Sequence, residues 1–223
     1  MDILEFFNKL NIPNQSTDSP YIKALHFKNG EPLKIFSLKD DIELLFKLDN
    51  DKYKKLITFL SYNKEVLFIP LEFIDGRIFG FVLRSLTQKA FYNFKIEDNL
   101  PMVFGLNDFS DFEFGQPIFL AEGIKDVQTI KLFYKYSLAY LTSQPAESLW
   151  NYLNTITNNI IIIGDNDKTG KKLILDNKIK EKYKHCKIYY LNGKDGGEYW
   201  EGNNFIYNQI KIIVSEELNG EKI

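Results

Sequence analysis

The second half of the chain alternates two hydrophobic patterns. Short apolar runs, Ile118-Phe119-Leu120-Ala121, Leu138-Ala139-Tyr140-Leu141, Ile160-Ile161-Ile162-Ile163-Gly164 and Lys187-Ile188-Tyr189-Tyr190-Leu191, are separated by longer stretches with helical spacing, at about 125–136, 145–157 and 169–184. The isoleucine run is too short for a helix and too apolar for a surface strand, as befits a parallel strand covered on both faces. Strand and helix alternate about four times, which implies a parallel sheet built by right-handed crossovers. The first half is less regular. Asp2 to Leu10 reads as a short amphipathic helix, Asn11 to Pro20 as a polar linker, and Leu38 to Leu60 as helical segments broken near Asp49-Asn50-Asp51. Asp75-Gly76 between apolar runs marks a hairpin turn. Ile206, Ile210, Ile213 and Val214 recur at helical spacing and predict a terminal helix packed on the sheet.

Carboxylates stand where these strands end. Glu122-Gly123 follows the first run, Asp165-Asn166-Asp167 the isoleucine run, and Asp195 the last. Open α/β sheets place their ligands beyond the carboxyl ends of strands, so the acids are expected to converge. Several carboxylates facing one cleft repel, and without a cation at least one takes up a proton. An all-oxygen set of this kind suits Mg²⁺, with Mn²⁺ an acceptable substitute, and such ions usually share their coordination with substrate phosphates. Glu122 is alternatively a general acid or base, if its acidic neighbours raise its pKa.

Composition narrows the classes. The 223 residues, 44% apolar, suffice for one compact unit or two small subdomains. No apolar stretch reaches membrane-spanning length and Met1-Asp2-Ile3-Leu4-Glu5 lacks the basic start of a secretory signal, so a soluble cytoplasmic protein with no membrane partner is expected. Cys186 is the only cysteine, which excludes an internal disulfide, and beside His26 and His185 it makes no zinc site. The net charge of −2 argues against a uniformly basic nucleic-acid binder and leaves room for a local basic track, so template binding should be weak and salt-sensitive. Abundant Lys, Asn, Ile and Phe fit an AT-rich genome of the phage or plasmid kind.

The ordered set of motifs is more specific than any one of them. Glu122-Gly123 with Asp126, then Asp165-Asn166-Asp167 with Gly170, then Lys194-Asp195 resemble the Toprim signature of topoisomerases and bacterial primases. Asp126 in the first motif and Lys168-Thr169-Gly170 after the paired acids are closest to DnaG-type primases, and Leu141-Thr142-Ser143 resembles the primase segment after the second strand without its usual glycine. Upstream, Ile69-Pro70 through Phe81 and Arg84 resembles the hairpin with a basic edge that precedes the primase catalytic sheet. Lys89 to Asn93 and Val103-Phe104-Gly105-Leu106 fall where that family has a lysine-tyrosine-leucine-asparagine stretch and an aromatic-glycine-leucine stretch. The resemblance covers about residues 66 to 200 and does not reach residues 1 to 60.

The resemblance implies a DnaG-type primase catalytic core: an α+β subdomain over 1–112, a Toprim parallel sheet flanked by helices over 113–201, and a helical tail over 202–223. It implies a nucleotidyltransferase that joins ribonucleotides into short RNA primers on single-stranded DNA, with Glu122, Asp165 and Asp167 as catalytic metal ligands. Asp126 and Asp195 would complete the cluster, Lys168 would lie near the nucleotide phosphates, and Arg77, Arg84 and Lys89 would contact the template. Plainer readings stand beside these. Asp126 suits a helix N-terminus, Asp195 a Gly-rich turn, Lys168 a solvated helix start, and the three basic residues an ordinary hairpin surface. Phe91 and Tyr92 are core residues or stacking platforms for unpaired bases. DnaG-type primases also carry a zinc-binding domain and a helicase-binding domain, and neither has a counterpart here. Template selection and helicase coupling are therefore expected from partners, or are absent. The rivals are a Toprim nuclease using the same acids and a catalytically silent replication accessory protein.

Overall fold

The computed structural model describes residues 2–9, 34–37, 43, 47–63, 65–97, 100–142, 146–165, 186–191 and 205–219, with the backbone alone at a few of them, Asp165 included. Helix α1, Ile3–Lys9, is capped by Asp2, whose Oδ1 accepts the Glu5 N–H at 2.9 Å. Helix α2, Asn50–Tyr62, starts where the sequence pattern breaks: the Asp49 carboxylate accepts the N–H groups of Asp51 and Lys52, so the break near 49–51 is an N-cap.

Strands β1 (Lys34–Ser37), β2 (Glu65–Glu72), β3 (Ile78–Ser85) and β4 (Phe91–Lys95) form an antiparallel sheet in the order β1-β2-β3-β4. The expected hairpin is β2–β3, turning at Asp75-Gly76; β1 is an addition the hydrophobic pattern did not predict. Both faces of this sheet are covered, so β2 and β3 read as nearly continuous apolar runs. Val66, Phe68, Phe81 and Leu83 meet α1 and α2 in one core, where the Phe81 ring stacks on Phe94 at 4.9 Å and meets Phe7 edge-on at 5.0 Å. Leu67, Ile69, Leu71 and Val82 point the other way, into a second and larger core.

That larger core is shared with a parallel sheet. Strands β5 (Ile118–Ala121), β6 (Ser137–Ala139), β7 (Ile160–Asp165) and β8 (Cys186–Leu191) lie in the order β6-β5-β7-β8, all parallel, as the alternating pattern required. Helices α3 (Ile124–Lys131) and α4 (Glu147–Ile156) fall in the first two predicted intervals, and α5 (Phe205–Asn219) is the expected terminal helix, packed against α3 and β8. The predicted helix over 169–184 lies outside the described residues. Among the described residues no helix is long and apolar enough to cross a membrane.

A 3₁₀ turn at Leu106–Phe109 follows Gly105, whose φ of 103° is open to glycine and costly for other residues. Phe104 forms an antiparallel bridge with Ala139, pairing the outer edge of β6. A Cβ at Gly105 would lie 2.6 Å from the Ser137 carbonyl oxygen, whereas one at Gly76, with φ of 79°, would meet nothing within 4 Å. Gly105→Ala should therefore cost about 2–4 kcal/mol, strain plus overpacking, and Gly76→Ala only about 1–2 kcal/mol. Urea unfolding checks the difference, and equal losses would contradict the close approach.

On the other flank Glu217 of α5, its side chain 4% exposed, accepts from Lys187 Nζ at 2.6 Å and from the Tyr189 hydroxyl. This hydrogen bond, with burial second, pushes the Tyr189 phenol up to about 12. A raised folded pKa means the contribution is complete below the unfolded value of about 10 and is lost as pH rises through about 12. Tyr189→Phe should remove that component, and comparing denaturant midpoints of the two proteins between pH 9 and 12 checks it.

Candidate active site

The strand order creates a switch point. From β5 the chain crosses by α3 to β6 on one side; from β7 it continues to β8 on the other, so connections diverge at the carboxyl ends of β5 and β7. A crevice opens at such a point and is where doubly wound sheets bind ligands. Glu122 is the first residue beyond β5 and Asp165 the last of β7. The register Ala121↔Ile163 sets Glu122 level with Gly164, one residue short of Asp165, on strands about 4.8 Å apart. The convergence expected from the sequence thus holds for the backbones at Glu122 and Asp165. The Asp165 side chain, Asp167, Lys168 and Asp195 lie outside what is described.

Asp126 is the third residue of α3, whose N-cap is the extended Gly123 with no side chain to cap it. A Cβ at Gly123 would sit 3.0 Å from Asp126 Oδ2, so this carboxylate folds back over the helix start beside Glu122. In that position, in the first turn of α3, Asp126 satisfies the helix dipole.

The antiparallel sheet forms the facing wall. Val82, Arg84, Phe91 and Asn93, one alternating face of β3 and β4, meet Glu122, Gly123, Ile124 and Leu141 around a cleft of about 180 Å³. Ligand pockets for whole small molecules usually run to about 300–1,000 Å³, so this cleft fits a phosphate-sized or base-sized group with the rest of the ligand outside. Phe91, paired in register with Arg84, is 62% exposed. Tyr92 points to the opposite core and stacks on Phe59 at 5.6 Å, and burial raises its pKa. The two aromatics thus divide: Tyr92 is packing, and Phe91 is an open ring at the cleft.

Of the basic residues proposed from sequence, Arg84 lines the cleft. Lys89 is exposed in the β3–β4 turn, which Gln88 ties to Asn63 by a 2.7 Å hydrogen bond. Arg77 sits at the β2–β3 turn, bonded to Glu97 at 2.5 Å and lying over the Phe73 ring at 4.6 Å.

Two residues that sequence reasoning did not assign also belong to the site. Asn93 Nδ2 donates to the Leu141 carbonyl at 3.0 Å, and the Leu141 N–H donates to the Glu122 carbonyl at 3.1 Å. Leu141, with φ of 55°, is the one non-glycine residue at positive φ among the described residues, a conformation that costs roughly 1–2 kcal/mol. The available signal was the leucine at the place where the resembling primases have glycine nearby.

No family model matches the chain, and no curated protein matches it. Solved structures do. The zinc-binding and RNA polymerase domains of the Aquifex aeolicus primase align with a TM-score of 0.62 at 16% identity, covering 95% of this chain and 59% of that one. The fold is that of primase catalytic cores. A DnaG catalytic core aligns at 0.51 with 19% identity over 79% and 66% of the two chains. The primase fragment of the bacteriophage T7 primase-helicase protein aligns at 0.51 with 15% identity over 66% and 62%. The chain spans between about half and two thirds of the lengths of several of the solved primase chains it matches. At such identities the likeness carries the primase architecture, and the chemistry rests on the cleft.

The contact at Gly123 is testable. Gly123→Ala meets the far end of the Asp126 side chain, so it should cost less than about 1 kcal/mol, and in Asp126→Ala that cost should vanish. A double-mutant cycle by urea unfolding measures this, and additive losses would mean that Asp126 does not fold over the glycine.

Proposed function

We propose that this chain is a primase-type nucleotidyltransferase core that extends short RNA on single-stranded DNA. The observation that supports the reading is the switch point itself: Glu122 and Asp165 stand at the carboxyl ends of neighbouring parallel strands, and Glu122 shares one cleft with Arg84 and the exposed Phe91. Glu122, Asp126 and Asp165 at this point all bear carboxylates, the donor type that suits a hard divalent cation, although the described side chains alone do not gather three such ligands. Glu122, Asp165 and Asp167 would hold Mg²⁺ or Mn²⁺, with Asp126 and Asp195 completing the acidic set. Bound there, the ion supplies charge neutralisation to the triphosphate.

The chain's own groups do the rest. Arg84 pairs with a phosphate at the cleft wall, and Lys89 and Arg77 extend the basic edge along the hairpin. Phe91 offers its ring face to an unpaired base, a contact indifferent to sequence. Val82, Ile124 and Leu141 give the cleft an apolar lining that strengthens the polar contacts inside it. Lys168 contacts the phosphates of the incoming nucleotide. The 3′ hydroxyl of the growing strand attacks the α-phosphate, the new phosphodiester forms, and pyrophosphate leaves with the broken bond. Positioning and electrostatics supply the acceleration, as in other phosphoryl transfers.

Incubation with single-stranded DNA, labelled ribonucleotides and Mg²⁺ or Mn²⁺ should yield short new oligonucleotides. Glu122→Gln and Asp165→Ala should each lower the yield at least about 100-fold with the fold intact. Retained synthesis in either variant overturns the assignment of that residue. Shortened template would instead identify a nuclease, and DNA binding without product an accessory protein. Arg84→Ala should reduce the slope of log affinity against log salt by up to about 0.7 on single strands.

A further inference from the structure

Leu141 is strained at a place where a hydrogen bond joins the two walls of the cleft. Tyr140 and Leu141 donate their N–H groups in succession to the carbonyls of Ala121 and Glu122, both at 3.1 Å. In a regular strand successive N–H groups point to opposite edges, so two consecutive donations to one neighbour require a kink. That kink lies at Tyr140, which joins the two peptide planes, and the left-handed φ of Leu141 then turns the next peptide, and with it the Leu141 carbonyl, away from β5. The Leu141 carbonyl then receives Asn93 Nδ2 from β4 at 3.0 Å. A non-glycine residue persists in this conformation only where its surroundings over-determine it, and such residues gather at functional sites.

We infer that Asn93 and the left-handed turn at Leu141 form a strut that positions Glu122 against the Arg84 and Phe91 wall. The inference rests on the metal reading of Glu122 given above. The strut runs from β4 through the Leu141 peptide to the Glu122 carbonyl, so it crosses from one sheet to the other and sets the spacing of the groups on either side. Asn93 and Leu141 are accordingly positioning residues: they act on Glu122 through its backbone and need not touch the reacting atoms. The backbone of Leu141 carries this role, which separates it from the contribution of its side chain to the lining.

Three variants distinguish these features. Asn93→Leu keeps the size and removes the donor, Leu141→Val places a β-branched residue where positive φ is most costly, and Leu141→Gly keeps the turn without the side chain. Two readouts independent of catalysis are used: Mn²⁺ binding followed by electron paramagnetic resonance, and hydrogen exchange of residues 139–142. Exchange at Phe81–Leu83, buried in the antiparallel sheet, controls for the fold. Asn93→Leu and Leu141→Val should weaken Mn²⁺ binding about 10–100-fold, the range for outer supports of metal ligands, and speed exchange at 139–142 with the control segment still protected. Leu141→Gly should recover most of the loss seen in Leu141→Val. Unchanged exchange and affinity in Asn93→Leu would overturn the strut, as would a Leu141→Gly variant no better than Leu141→Val. If the native chain binds no Mn²⁺, the metal reading fails by itself, and the exchange comparison still decides the strut.

Discussion

Burial of the antiparallel sheet on both faces is the constraint on which the rest depends. An isolated antiparallel sheet can leave one face to water, and its strands then alternate apolar with polar. Here Leu67, Ile69, Leu71 and Val82 are committed to the parallel sheet while Val66, Phe68, Phe81 and Leu83 are committed to α1 and α2. A one-residue slip in β2 or β3 would exchange these sets and place phenylalanines where smaller side chains meet the parallel sheet. Register is therefore fixed from both sides. Because it is fixed, Arg84, Phe91 and Asn93 arrive opposite Glu122 with no dedicated linker, as the polar continuation of a face that is apolar further along.

The parallel sheet contributes a complementary constraint. Its order β6-β5-β7-β8 makes the chain leave β5 and β7 in opposite directions, which opens a crevice at their carboxyl ends, where Glu122 and Asp165 stand. The strained Leu141 then has a physical rationale. The strand end beside Glu122 must bond to the acid-bearing chain and reach the opposite sheet, and a regular extended residue cannot do both. The roughly 1–2 kcal/mol of strain is small beside the burial of the shared core, so the fold tolerates it where a marginal surface loop would not.

Much of this architecture was legible in the sequence because its signals are local. The isoleucine run 160–163, the apolar run 118–121 and the spacing of Ile206, Ile210, Ile213 and Val214 each declare their element without reference to anything distant. Strand β1 was not legible: four residues, Lys34–Ser37, carry no period of their own and are strand only because β2 offers them an edge. The site divides in the same way. Glu122 and Asp165 were legible as acids at strand ends, whereas the separation of Phe91 from Tyr92, the capture of Arg77 by Glu97, and the link from Asn93 to Leu141 depend on which face of a strand meets which partner. Such choices are fixed by tertiary packing across 20 or 48 positions of sequence, beyond the reach of any local pattern.

Charge explains why these features must work together. The chain carries 28 basic and 30 acidic side chains, so no overall field draws a polyanion to it. Acids gathered at the switch point would repel a phosphate outright. On the proposed metal reading, a divalent cation would reverse the sign of that locus, and the cleft would then present positive charge on both walls, the ion on one and Arg84 on the other. Single-stranded DNA and triphosphate would thus be held by the loaded site far better than by the bare chain, which makes placement of Glu122 a condition for binding as well as for chemistry. On the proposed reading, that dependence gives a strained backbone turn beside Glu122 a functional reason to be kept: a shift in this carboxylate would weaken the cation, and the cation would be what makes the cleft attractive to nucleic acid.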